Sequence, residues 1–132
     1  MEAGIEIDLT QFHGSFFDEC AERLADIDGA LRDLDLAEPD DECVNLVFRA
    51  AHSIKGGAAT FGFEDMSRLA HVVERLFDSV RGGNREISQE VIDLTAQSVE
   101  CMRYLIECRK NGDAAEGERV EALTLQLEAL EA

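Results

Sequence analysis

A chain of 132 residues that is 45% hydrophobic with one proline is long and apolar enough to bury a core without cross-links, which excludes a disordered segment and predicts a single domain over residues 1–132. A formal net charge of −17 argues against nucleic acid and anionic membrane as partners. No apolar run reaches the roughly 18 residues of a spanning helix, and no basic-then-apolar leader opens the chain, so a cytoplasmic protein without direct membrane contact is expected.

The first predicted helix runs from about Thr10 to Leu36, with Phe16, Phe17, Cys20, Leu24, Ile27, Leu31 and Leu34 at three- and four-residue steps. Asp8 or Thr10 is its expected cap, and Pro39 its stop. The second begins near Asp40 or Asp41, whose carboxylates suit a helix N-terminus, and turns Val44, Val47, Phe48, Ala51, Ile54 and Ala58 inward. After a tight connection at Thr60 to Phe63, a third covers about Glu64 to Arg81 and ends at Gly82-Gly83-Asn84. Ser88 caps the fourth, Asn111-Gly112 stops it, and a fifth carries Val120, Leu123, Leu127 and Leu130.

Short links between long amphipathic helices predict an all-α fold, an antiparallel up-and-down four-helix bundle over about residues 8–112, with an additional C-terminal fifth helix at about 117–131 packed alongside. Cys20, Cys43, Cys101 and Cys108 fall within helices and form no C-x-x-C pair. They read as small hydrophobes in a reducing compartment, with no metal or cofactor site of their own.

Chemistry concentrates on the second helix. At 3.6 residues per turn, His52 lies about 110° from the centre of the apolar face, supported on one side and open to solvent on the other. Asn45, Gly56 and Ala59 share that open edge. The pair Gly56-Gly57 costs roughly 2 kcal/mol against two alanines, a cost that makes sense where something approaches closely at Gly56 and a helix packs tightly at Gly57. Lys55, three residues after His52, reaches across the same patch.

A neutral imidazole is a competent nucleophile near pH 7, its free pKa being about 6.5. It can attack a phosphoryl group in line and later release it, because phosphoryl transfer is largely positioning and charge neutralisation. Lys55 is the expected neutralising charge. Glu74 falls about 120° from the centre of the third helix's apolar face and is read as an edge residue. Its carboxylate is expected to accept the His52 Nδ1–H and leave Nε2 free. His71 flanks the site. From Arg49 to Arg85 there are six basic residues against four acidic ones, a local positive excess that fits handling of phosphate-like charge there.

The run FRAAHSIKGGAATFGF, Phe48 to Phe63, closely resembles the phosphotransfer segment of CheA-type chemotaxis histidine kinases and of related pilus-motility kinases. The similarity extends upstream through FFDECAERLADID and downstream to His71 and Glu74 in HVVE. H-x-x-K-G alone is shared by histidine-phosphotransfer domains generally. The resemblance implies a helical bundle whose His52 is phosphorylated at Nε2 by the kinase's ATP-binding domain and then passes the group to an aspartate of CheY- or CheB-type response regulators. It implies that Glu74 is the partner of the histidine, Lys55 the family's lysine and His71 its second histidine. ATP and Mg²⁺ are expected on partner domains, with no cofactor held here and an isolated domain that is monomeric. Ala59 departs from the glycine expected at that place. Regulator docking is expected over His52 and the Gly56 gap, with Gly57 and Ala59 beside it and Asn45 and Arg49 setting specificity.

Three other readings fit less well, the first being a self-contained hydrolase, which would need a nucleophile, base and oxyanion donors around a pocket that a slender bundle hardly offers. An acidic helical adaptor without chemistry explains the charge but not His52, Lys55 and the glycine pair together. A di-metal carboxylate bundle needs Glu-x-x-His on two helices, whereas His71-Val72-Val73-Glu74 runs in reverse and has no second copy.

Overall fold

In the computed structural model, which describes residues 10–131, five helices follow one another: α1 Thr10–Asp33, α2 Asp41–Thr60, α3 Glu64–Arg81, α4 Gln89–Asn111 and α5 Gly117–Glu131. Asp8, one of the two caps expected for α1, and the first residues of the expected bundle lie outside what the structure describes, and Thr10, the other, is the first residue of the helix itself. The helix ends three residues earlier than its periodicity predicts. An Asp35 carboxylate oxygen accepts the Ala37 N–H at 2.9 Å, a local turn that competes with the helix before Pro39 is reached.

The other ends follow local chemistry. The Asp40 carboxylate accepts the Glu42 N–H at 2.8 Å to cap α2, and the Ser88 hydroxyl accepts the Val91 N–H at 3.2 Å to cap α4. Gly62, at φ +75°, allows the three-residue reversal from α2 into α3, where the Phe63 N–H returns to the Ala58 carbonyl at 2.9 Å.

Helices α1 to α4 form a ring in which each packs on its two neighbours, and α5 lies in the groove between α3 and α4. The core draws on every helix, with Leu24, Ile27, Ile54, Met66, Leu69, Leu76, Phe77, Met102, Leu105 and Leu127 fully buried. Buried Thr95, Ser98 and Thr124 each donate to the carbonyl four residues back, so their hydroxyls satisfy themselves without a partner helix. Helix α5 is held by more than Val120, Leu123 and Leu127. Arg68 of α3 pairs with Glu121 at 2.6 Å and with Glu128 at 3.5 Å, and Arg75 pairs with Glu131. Two of the arginines behind the positive excess seen in the sequence therefore clasp the acidic fifth helix.

The four cysteines are free. Cys20, Cys101 and Cys108 are buried and Cys43 is half-buried. Burial, with Glu19 adding to it, pushes the Cys20 thiol up to about 12, which removes thiolate character at neutral pH. Among the described residues no group of three or more His, Cys, Asp and Glu side chains is placed to hold a metal ion, and no helix is long and apolar enough to cross a membrane.

Candidate functional site

His52 stands on the outer edge of α2 with 65% of its side chain exposed, and its Nδ1 is hydrogen-bonded to Glu74 Oε2 of α3. Glu74 is not at the solvent edge, where its helical angle puts it: its side chain is only 9% exposed. The reason is that α3 touches α2, α4 and α5, so three neighbours cover an arc wider than its apolar stripe. A carboxylate can be buried there because its oxygens are satisfied. Lys55 Nζ donates to Oε1 at 2.7 Å, and His71 Nδ1 lies 3.3 Å from the same oxygen.

Burial alone pushes the Glu74 carboxyl up. Hydrogen bonds from Lys55, His52 and His71, together with the Lys55 charge, outweigh it and hold the group below its ordinary value. Glu74 is thus an anion at neutral pH, and an anion can only accept. The proton between it and His52 belongs to the imidazole Nδ1, so in the neutral ring Nε2 is the nitrogen with the free lone pair. A nucleophilic nitrogen, a fixed tautomer and an adjacent carboxylate are the parts this arrangement supplies.

Lys55 takes a different post from the one expected. Its side chain is 27% exposed and its ammonium is bonded to Glu74 rather than extended over the outer patch. The Ser67 hydroxyl donates to the Lys55 carbonyl at 3.2 Å, a further tie between α2 and α3 at this level. His71 is exposed and flanks the cluster, as expected.

The two glycines divide as their positions suggest. A Cβ at Gly56 would meet nothing within 4 Å, whereas one at Gly57 would lie 2.5 Å from Phe16 Cε1 of α1. Gly57 therefore serves the contact between α1 and α2, and Gly56 leaves an open gap one turn from the imidazole. Arg49 and Ala59 are exposed and Asn45 is half-buried on α2. Among the described residues no side-chain hydrogen bond joins them to the cluster.

Two residues escape the sequence reading. Phe48, expected to point inward, is half-buried, while Ala50 is buried in the core. The Phe48 ring lies nearly parallel to the His52 imidazole, with centroids 6.4 Å apart and planes at 16°. The Arg81 guanidinium sits 3.8 Å from the centre of the Phe48 ring. An aromatic residue four before the histidine was the available signal, since that spacing places two side chains on one face.

Comparison with known proteins gives a consistent result. A family model described as Hpt domain matches residues 11–132. The chain is 38% identical over 126 residues to the chemotaxis protein CheA of Salmonella typhimurium, covering 96% of this chain and 19% of that protein. It is 38% identical over 124 residues to the CheA of Rhizobium meliloti, covering 94% and 16%. With the CheA of Bacillus subtilis the identity is 30% over 101 residues, covering 76% and 15%. The chain thus spans less than a fifth of the length of these curated relatives. Among solved structures, the phosphorylated P1 domain of CheA3 in complex with CheY6 from R. sphaeroides superposes with a TM-score of 0.82 at 24% identity, over 92% of this chain and 95% of that one, which shows the shared fold.

Proposed function

Because the chain belongs to the Hpt domain family, we propose that it is the phosphoryl carrier of a CheA-type chemotaxis phosphorelay, with His52 as the phospho-acceptor. Nε2 attacks the γ-phosphorus of ATP held by the kinase's ATP-binding domain. The N–P bond forms as the bond to the leaving ADP oxygen breaks, and the positive charge that develops on the imidazole is shared with Glu74 through Nδ1–H. In the second half-reaction an aspartate carboxylate of a CheY- or CheB-type regulator attacks the phosphorus, and the electron pair of the N–P bond returns to Nε2. ATP and Mg²⁺ belong to the partner domains in this reading, and ATP as the phosphoryl source makes the cytoplasm its place of work.

The observation that carries the reading is the buried, ionised Glu74 bonded to Nδ1 of an exposed histidine. Such a pairing has little to offer a packing role, and it prepares the outer nitrogen for attack. Lys55 holds Glu74 in the resting state and lies near enough to turn toward phosphoryl oxygens once they arrive. The regulator approaches over the edge that bears His52 and the Gly56 gap, with Ala59 beside it and Asn45 and Arg49 at its margin, while Gly57 is taken up by the contact with Phe16 of α1.

Incubation with a CheA-type kinase core and labelled ATP, followed by addition of a CheY-type regulator, tests this directly. Label is expected on His52, labile in acid and stable in base, and is expected to move to the regulator. Labelling that persists in His52→Gln, or that maps to His13 or His71, would overturn the assignment.

A further inference from the structure

We propose that Phe48 is a positioning residue for the His52 imidazole, clamped from its far side by Arg81; the inference rests on His52 being the phospho-acceptor. The orientation of a histidine ring depends on two torsions, χ1 and χ2, and the single hydrogen bond to Glu74 restrains one combination of them. With 65% of the side chain exposed, little else limits the remaining rotation, which would sweep Nε2 across the surface. A flat neighbour parallel to the ring supplies the missing restraint, and the Phe48 ring at 16° to the imidazole is such a neighbour.

Phe48 is itself held. Helices α2 and α3 are antiparallel and His52 stands opposite Glu74, so Phe48, one turn earlier on α2, falls between the imidazole and Arg81, which comes later on α3. The Arg81 guanidinium covers the Phe48 ring at 3.8 Å and is fixed in turn by Asp78 at 2.8 Å. The row Asp78, Arg81, Phe48, His52 thus runs from a surface ion pair through a cation–π contact to the reacting ring. Phe48 also packs against the core, so the row is anchored to the bundle rather than free to drift with the imidazole.

The test uses the whole chain, a CheA-type kinase core with Mg-ATP, and inorganic phosphoramidate as a donor too small to need a docking surface. Phe48→Leu is expected to slow phosphorylation of His52 roughly threefold to tenfold with both donors, in the kinase's kcat and not its KM for the chain, and in the rate constant of direct transfer from phosphoramidate. In nitrogen-detected spectra the His52 ring protons should lose their Phe48 ring-current shift. Phe48→Tyr, which keeps the ring, is expected to restore rate and spectrum. Arg81→Gln, at an exposed position that leaves the core intact, is expected to give a smaller loss of the same kind. A folded Phe48→Leu with unchanged kcat, or a slowdown seen with the kinase but not with phosphoramidate, would overturn the positioning role. No effect of Arg81→Gln would overturn the clamp. Undiminished label in His52→Gln would instead overturn the phosphotransfer reading, and this inference with it.

Discussion

Lys55 Nζ donates to the Glu74 oxygen that His52 does not use, at 2.7 Å. One buried carboxylate therefore couples a cation on one side to the nucleophilic ring on the other. The lysine keeps the carboxylate ionised, and the ionised carboxylate keeps the proton on Nδ1.

Replacing Glu74 should therefore affect both chemistry and stability. Glu74→Gln is expected to slow phosphoryl uptake about 10- to 100-fold, as loss of a residue that orients a reacting histidine generally does. Onward transfer should suffer less, since the imidazole is then the leaving group. Because Glu74 is buried, Glu74→Ala should also cost roughly 1–3 kcal/mol, the range for leaving charged hydrogen-bond partners without their mate. Urea unfolding and the rates of the two half-reactions measure these separately, and a neutral effect on stability would show that Lys55 finds solvent at no cost.

The lowered Glu74 pKa has a definite sign in acid. The unfolded carboxyl titrates near an ordinary pKa of about 4.3 and the folded one below it. The ionised cluster thus stabilises the fold fully above the unfolded value, and the contribution is lost as pH falls through the folded one. The Glu74 contribution to the stability difference between the parent and Glu74→Gln should shrink as pH falls below about 4. A difference that keeps growing below about pH 4 would contradict the assignment of Glu74 as the held anion.

The neighbouring glycines should respond to alanine in opposite directions. Gly56→Ala adds a methyl into open space within a helix and should stabilise by about 0.5–1 kcal/mol. Gly57→Ala drives a methyl into the Phe16 ring and should destabilise by about 1–3 kcal/mol. Chemical denaturation of the two variants decides this. Gly56→Phe, by contrast, should leave the fold intact and impair transfer to a regulator.

Helix α5 should loosen without disturbing the site. Arg68→Gln with Arg75→Gln removes its ion pairs to α3, each made by an exposed arginine and worth roughly 0.2–1 kcal/mol. Hydrogen exchange of α5 amides should quicken in this variant, and in the parent at high salt, while the rate of His52 phosphorylation stays unchanged. A slower rate would mean that α5 supports the cluster through α3.

What could be read in the sequence was what depends on neighbours in the chain. Asp40, Ser88 and Gly112 act within one turn of themselves, and each stands at the helix end where it was expected. His52 and Gly56 share one helix, so their common exposed edge followed from spacing, while the inward turn of Lys55 to Glu74 depends on α3. Glu74 could be assigned as the partner, but not as a buried one, because its environment is made by α2, α4 and α5 together rather than by its angle on α3. The burial of Ala50 was missed for a related reason: alanine adds little to an apolar pattern, yet it fits where two helices press close. Arg68 and Arg75 were visible as charge, but their partners lie more than fifty residues on.

The exposure of His52 has a consequence for water. Its imidazole is guarded on the inner side by Glu74 and along one face by Phe48, and a group bonded to Nε2 stands in bulk solvent. Enzymes that complete phosphoryl transfer within one cleft expel water before the bond breaks. A convex helix cannot do that, so dehydration comes only with the concave face of whichever partner closes over it. In the proposed carrier, hydrolysis of the N–P bond between encounters would compete at a rate the bundle does little to restrain, giving the stored group a clock set by bond chemistry instead of by a lid.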